Sequence, residues 1–341
     1  MNQSASEDLP TNAILKGVGL ALCAFAMFSL HDALIKSISG IPVFQVVFFV
    51  VLFSFVPFVF MLALSTEERT LRPNLPGLIA LRCLFTVGAL MCVFYAFGSL
   101  PMAQVYSLLF STPVLITLLS IPILGERVKF VRWIAILLGL SGILVVLQPT
   151  DVEFSLGHVA ALAAAFFSAC TSVVTRKIGS REHSVTLILY PMLANVVVSG
   201  LLLLFYYQPM PGDVLLKMCG IGMLSVLAQW LMINAYRRCE AQYIAPMQYS
   251  QMLWAILYGT LIFNEPANSH VFLGAGIIVI SGLLFIWREL MVSVSKPVLR
   301  TRNFRMSGGP QAIPNEADPD ARHRQPGSGS QQKTDSTEKL P

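Results

Sequence analysis

Long apolar runs separated by short polar links set the rhythm of this chain. Ten runs can be counted, at about residues 13–37, 41–64, 76–98, 101–124, 131–147, 154–178, 184–205, 214–236, 241–263 and 271–286. Each is close to the roughly 20 residues that carry a helix across about 30 Å of hydrocarbon. Lipid offers no hydrogen-bond partner to an open strand edge, so runs of this kind predict helices. The expected fold class is an all-α membrane protein with ten transmembrane helices. The first run is too long for a signal-peptide core and no small-x-small site closes it, which predicts a retained helix.

Between the links the pattern repeats. The stretch from Ala103 to Gly142 is an apolar run with a central proline, a Gly125-Glu126 break with basic residues behind it, and a second apolar run ending in Ser-Gly. The same order returns from Ala241 to Gly282. Glu126 and Glu265 stand 139 residues apart, as do Phe28-Ser29 and Phe167-Ser168, Gly40 and Gly179, and Ala96-Phe97 and Ala235-Tyr236. The repeating module holds five helices, an odd number, so the second copy must lie upside down in the bilayer. Loop charge agrees: GERVKFVR is basic while its counterpart NEPANSH has no Lys or Arg, and GSLP is uncharged while its counterpart RRCE is basic. Similar sequence with inverted charge is the mark of inverted-repeat transporters. The expected organisation is an N-terminal segment 1–11, a first repeat 12–149, a second repeat 150–289 and a polar tail 290–341 read as disordered.

Composition sharpens the membrane reading. Hydrophobic residues make up 55% of the chain and charged residues only 12%, against about a quarter charged in globular domains. The net charge of +5 is no nucleic-acid footprint. Eight Lys/Arg and five Asp/Glu lie in residues 290–341 and the rest cluster at the ends of apolar runs, which is how topology is written. With the N-terminus inside, the inner loops hold Arg69, Arg72, Arg127, Lys129, Arg132, Arg176, Lys177, Arg181, Arg237 and Arg238, and the outer ones only Lys36 and Lys217. Both termini are therefore expected in the cytoplasm of a cell with this protein in its inner membrane. The six cysteines show no CxxC pair and fall at or in apolar runs, where they serve as small packing residues.

The residues quoted so far, together with HDALIK (31–36), LRCLF (81–85), SLPMAQVYSLLFSTPVL (99–115), LGERVKFVRW (124–133), APMQYSQMLWAILYG (245–259) and FNEP (263–266), resemble the EamA-type branch of the drug/metabolite transporter superfamily over residues 13–286. The resemblance implies ten helices in two five-helix copies and export of amino acids or similar metabolites, with a coupling proton in play. Similar proteins often carry an arginine where this chain has Val50 and a glutamate where it has Gln248, so a less charged cavity is expected here.

Polar residues inside apolar runs are the candidates for chemistry, because an ionised side chain in mid-bilayer costs about 2.5–3.5 kcal/mol on insertion scales and faces a cavity or a partner. Asp32 has two readings. It can pair with Lys36 one turn on and neutralise the helix end, or it can take up a substrate cation or a coupling proton, with His31 tuning it. Arg82 either snorkels to the headgroups or faces an inner vestibule and attracts carboxylates. In the ninth run Gln248, Gln251 and Tyr258 recur at helical spacing beside Tyr249 and Trp254, fit either to glue helices or to line a solute pocket. Tyr106, Ser107, Asn195, Gln229 and Asn234 are weaker candidates. Glu126 and Glu265 are expected at helix starts, favourable to the dipole. The alanines 160–165 read as a surface for close helix approach.

No GxxxxGK[ST] occurs, so a solute or ion gradient would supply the drive. The expected function is a secondary transporter of a small organic metabolite, a monomer or homodimer in the lipid bilayer, with no cofactor and no nucleic acid. Uptake of a vitamin or nucleoside-like cofactor is the alternative. A polytopic enzyme would need His, Asp or Glu gathered at one face, and the five histidines are scattered.

Overall fold

The computed structural model describes residues 11–63, 72–125, 130–147, 155–238, 241–265 and 268–293. The N-terminal segment before Thr11, the loop holding Glu126, Arg127 and Lys129, and the tail beyond Ser293 lie outside the described residues. Twelve α-helices follow in order: α1 (Thr11–Lys36), α2 (Val43–Ala63), α3 (Pro76–Ser99), α4 (Met102–Leu109), α5 (Thr112–Leu124), α6 (Phe130–Leu147), α7 (Leu156–Ile178), α8 (Ser184–Tyr206), α9 (Gly212–Arg238), α10 (Ala241–Ile244), α11 (Ser250–Phe263) and α12 (Ser269–Ser293). Short 3-10 turns cover Gly179–Arg181 and Ala245–Tyr249. There is no strand among the described residues.

Among the described residues, seven stretches have the length and apolarity to cross a membrane: those in α1, α2, α3, α7, α8 and α9, and Met102–Leu124, which takes α4 and α5 together. Shorter apolar stretches, Ile136–Leu147 and Ser269–Leu284, lie in α6 and α12. The exterior is oily. Leu204 and Phe205 are 77% and 78% exposed, while Ser29, Gln45, Asp32, Arg82 and Thr117 are buried. Apolar outside and polar inside is the arrangement lipid favours and water does not.

Pro113, Pro191 and Pro246 in the apolar runs permit kinks, and two of those runs are broken. The fourth run parts at Phe110-Ser111 into α4 and α5. Pro113, in the first turn of α5, has no N–H to continue the ladder, and the Ser111 and Thr112 hydroxyls donate to the Leu108 and Leu109 carbonyls at 2.6 Å. The ninth run parts at Ala245–Tyr249 around Pro246, where the Ser250 hydroxyl donates to the Met247 carbonyl at 2.6 Å. Phe110 and Tyr249 stand 139 residues apart, one at each break, and their rings stack at 5.2 Å with planes 14° apart.

The same offset governs the backbone. Four described residues have positive φ: Gly40 (75°) and Gly179 (59°), Gly125 (68°) and Asn264 (52°). They form two pairs, each 139 apart. Gly125 and Asn264 close α5 and α11 in the left-handed conformation, which glycine and asparagine adopt at least cost.

Packing pairs distant parts of the chain. The most extensive contacts are α3 on α7, α1 on α9 and α6 on α12, with α2 lying against both α8 and α9. The expected alanine surface is present: Ala161, Ala164 and Ala165 are buried on α7, the helix that packs on α3. Helices α6 and α12 approach through glycines. A Cβ added at Gly274 would lie 2.8 Å from the Gly142 carbonyl oxygen and 2.5 Å from a Val146 methyl, leaving no room even for alanine. Gly274→Val should therefore destabilise the protein by about 1–3 kcal/mol through overpacking, seen as a lower melting temperature of the purified protein in detergent. An unchanged melting temperature would show that the two helices are not closely packed.

Candidate functional site

The site is assembled around the C-terminal third of α1. His31 and Asp32 are both buried there. His31 Nδ1 lies 2.8 Å from Asp32 Oδ1, and Tyr106 of α4 donates its hydroxyl to Asp32 Oδ2 at 2.5 Å. The Tyr106 oxygen also lies 3.2 Å from the Ser29 hydroxyl, one turn earlier on α1. Packing of Phe97 against Tyr106 and of Phe94 edge-on to His31 fixes both rings. A carboxylate held this way is screened from lipid by its own hydrogen bonds.

Lys36 does not neutralise Asp32, as the local i,i+4 spacing allowed. Its ammonium lies 2.9 Å from Glu265 Oε1 and donates to the Leu100 carbonyl, with the Phe263 ring 5.4 Å away. Glu265 also departs from expectation. It follows the C-terminal end of α11, and the left-handed Asn264 turns the chain so that Oε2 accepts from Met102 N at 2.9 Å. The glutamate thus caps the N-terminus of α4, a helix 163 residues earlier, and not a helix of its own.

A cavity of about 570 Å3, counted with its mouth, opens beside His31. Its walls come from α1, α2 and α3 on one side and α8 and α9 on the other. The polar lining is His31, Ser54, Arg82, Thr86, Asn195 and Ser225; Val50, Leu90, Phe94, Ile188 and Met192 supply most of the apolar wall. Val50 lines the cavity with an apolar side chain. Arg82 is 2% exposed, so it does not snorkel to the headgroups. Its Nε donates to the Thr175 hydroxyl at 2.9 Å and Nη1 to the Leu187 carbonyl, which fixes the guanidinium plane against α7 and α8.

Of the residues singled out from sequence, His31 and Arg82 line this cavity, and Asp32 and Tyr106 stand behind His31. Asn195, a weaker candidate, also lines it. Gln229, Gln248, Tyr249, Gln251 and Trp254 do not line it. Gln248 and Tyr249 sit in the 3-10 turn, and Tyr249 is packed so tightly on Gly282 that a Cβ there would overlap its ring. Gln251 is fully buried with neither amide atom hydrogen-bonded among the described residues, where Trp254 Nε1 and Gln229 Nε2 are likewise buried without partners. Trp254 stacks on Tyr258 at 6.1 Å, and the Tyr258 hydroxyl approaches the Ala26 carbonyl of α1 at 3.5 Å. Sequence reading missed Ser54, Thr86 and Ser225. The first two donate to carbonyls one turn back in their own helices, at 2.8 Å each, so a hydroxyl in an apolar run gives no sign of facing a cavity.

The chain is similar to transporters of known solutes. It is 32% identical over 182 residues to a riboflavin transporter of Vibrio cholerae serotype O1, covering 53% of this chain and 61% of that protein. Over 268 residues it is 26% identical to the pseudopaline exporter CntI of Pseudomonas aeruginosa, with 78% and 94% covered. Over 279 residues it is 24% identical to an S-adenosylmethionine uptake transporter of Rickettsia felis, with 81% and 94% covered. A solved structure described only as "Crystal structure of protein" shares the fold at a TM-score of 0.56 and 19% identity, over 84% of this chain and 99% of that one. The EamA-like transporter family matches residues 15–148 and again residues 155–287. Those two stretches take in most of α1 to α6 and most of α7 to α12, and with them the part of every helix that lines the cavity: the chain belongs to the EamA-like transporter family.

Proposed function

We propose that this protein is a secondary transporter that carries a small organic metabolite across the cytoplasmic membrane by alternating access between two inverted five-helix halves. The observation that carries the proposal is the cavity, whose walls come from α1–α3 of one family-matched stretch and α8–α9 of the other. Ten crossings follow if α4 with α5, and α10 with its turn and α11, each count as one. The inverted-repeat reading draws support from exchange of contacts. Adding 139 to α3 gives α9, and subtracting it from α7 gives α1, so the α3–α7 and α1–α9 pairs exchange under the repeat. A Cβ at Gly139 would touch Ser281 and one at Gly142 would touch Ile278, and those two contacts exchange in the same way. Phe110 and Tyr249, equivalent to each other, meet face to face as residues on a two-fold axis do.

Both termini lie in the cytoplasm by the distribution of Lys and Arg. The solute occupies the cavity, and Asp32 with His31 carries a coupling proton. Export of an amino-acid-like solute is the leading direction. Uptake of a vitamin or nucleoside-like cofactor is the second reading, favoured by relatives named for riboflavin transport and for S-adenosylmethionine uptake. Comparing solutes inside and outside cells with and without the protein should reveal one solute class displaced across the membrane. Everted vesicles loaded with that solute then give the direction. No displaced solute in cells, together with no flux in proteoliposomes, would refute a transport function.

A further inference from the structure

We infer that Arg82 is a positioning residue for helix movement. It supplies the hydrogen bond that Pro191 withholds from the Leu187 carbonyl, and so clamps α3 to the first turns of α8 at the end of the molecule assigned to the cytoplasm. The inference rests on the transport reading above and names the pair of residues that controls access to the cavity from that end.

In an α-helix the carbonyl of residue 187 accepts from the N–H of residue 191. Residue 191 is a proline inside α8 and has no N–H to give. A carbonyl left bare in an apolar interior needs another donor. It finds one on a different helix, where Arg82 Nη1 of α3 donates to it. The same guanidinium donates through Nε to the Thr175 hydroxyl of α7 at 2.9 Å, and that hydroxyl donates in turn to the Thr171 carbonyl at 2.7 Å. Arg82 has a further interaction within the protein besides these two. Both printed bonds run from a helix of the first family-matched stretch to helices of the second.

The repeat supports the pairing of arginine with proline. The contact of α3 with α8 has its counterpart in the contact of α9 with α2. At that counterpart the offset of 139 puts Ile221 in the place of Arg82 and Leu52 in the place of Pro191. Leucine keeps its N–H, so no donor from the facing helix is needed. The arginine and the proline occur together at one contact and are absent together from the other.

The clamp stands where an opening would start. Arg82, Leu187 and Pro191 all line the cavity. From there toward the start of α3, Ile79 packs with Val174, Ile178 and Leu187 in a buried apolar cluster. At the helix start itself, Glu182 accepts from Leu75 N and Asn74 donates to the Arg181 carbonyl at 2.7 Å. These ties lie at the opposite end of α3 from Met102 and the Lys36–Glu265 pair. Parting α3 from α8 breaks the Arg82 bond and turns the Leu187 carbonyl to the water that enters. Because Pro191 has moved this bond from within a helix to between two helices, it is exchanged for water without unwinding α8.

Ser225→Cys in a cysteine-free background places a thiol on the cavity wall, on α9 and so outside the clamp. A membrane-impermeant maleimide then reports access from the cytoplasmic side in everted vesicles and from the other side in intact cells. Arg82→Met keeps an apolar stem and loses every donor. Hydrogen bonds from charged groups shift an equilibrium by about tenfold or more, so this change should raise labelling in everted vesicles at least fivefold and leave that of intact cells within twofold. Adding Pro191→Ala returns an N–H to the Leu187 carbonyl and should bring labelling back to within twofold of the Ser225→Cys parent. Unchanged labelling with Arg82→Met, an equal rise from both sides, or a rise that Pro191→Ala does not reverse overturns the inference. If Arg82→Met alone fails to insert, the double variant should insert, and its failure overturns the inference too. The assay needs no solute, so its failure leaves the transport reading standing; that reading falls on the solute comparison in cells.

Discussion

Asp32→Asn should lower net solute transport at least tenfold while the protein still inserts and keeps its melting temperature within a few degrees. Asparagine has the size and shape of aspartate and can still engage Tyr106 and His31: Oδ1 accepts from one, and Nδ2 donates to the phenol oxygen or to a ring nitrogen of the other tautomer. Neutral hydrogen bonds of this kind contribute about 0.5–1.5 kcal/mol each, so the fold survives the exchange. What asparagine cannot do is change charge. A buried carboxylate that ties α1 to α4 in one protonation state, and loosens that tie in the other, links proton binding to helix movement. The mutant should therefore still exchange labelled solute for unlabelled solute across proteoliposomes, at a rate near wild type, while accumulation driven by a proton gradient disappears. His31 lines the cavity and Tyr106 belongs to α4, so Asp32 links the cavity wall to the helix that must move. Full gradient-driven accumulation by Asp32→Asn would return the carboxylate to a structural role.

Much of this arrangement is legible in the order of residues, and the rest is hidden for physical reasons. Apolar runs of bilayer length announce the helices, and His31, Asp32 and Arg82 stand out because charge inside such a run needs a reason. All three proved to be at or behind the cavity. The helix breaks were harder. Pro246 lies inside the second break and Pro113 in the first turn after the first, yet Pro191 sits within the unbroken α8, so a proline in an apolar run marks a break only where the fold uses it. Local spacing misled at Lys36, where a neighbour one turn away was outcompeted by a glutamate 229 positions later that only the folded chain delivers. Tyr249, Gln251 and Trp254 show the ambiguity of a polar-aromatic stripe: the pattern marks burial among helices, but periodicity alone cannot choose between a helix contact and the wall of a cavity.

Glu265→Lys should open the end of the molecule assigned to the outside, and the double exchange Lys36→Glu with Glu265→Lys should restore closure only in part. Glu265 joins three elements at once. Its carboxylate pairs with Lys36 at the end of α1 and accepts from Met102 N at the start of α4, and the residue itself closes α11. The tie therefore bridges the first family-matched stretch to the second. Beside it, Gln45 donates to the Gln208 carbonyl at 2.8 Å and accepts from Gln208 N at 3.1 Å, a second link at the same end. Both side chains of the ion pair are largely shielded, at 15% and 16% exposure, so the pair is worth more than a solvated one. Hydrogen bonds to charged groups contribute about 1.5–3 kcal/mol, which corresponds to roughly 10–150-fold in the ratio of closed to open protein. A lysine at 265 replaces attraction to Lys36 by repulsion and leaves Met102 N without its acceptor. The double exchange recovers the attraction, but a glutamate at 36 cannot donate to the Leu100 carbonyl and a lysine at 265 cannot accept from Met102 N. A cavity-wall cysteine introduced as Phe94→Cys in a cysteine-free background reports the outcome through its reaction with a membrane-impermeant maleimide added outside. Labelling should rise at least tenfold with Glu265→Lys, fall to an intermediate level in the double exchange, and rise by less with Glu265→Gln, which keeps an oxygen for Met102 N. Labelling that ignores all three substitutions would show that closure at this end rests on apolar packing and not on the tie between Lys36, Met102 and Glu265.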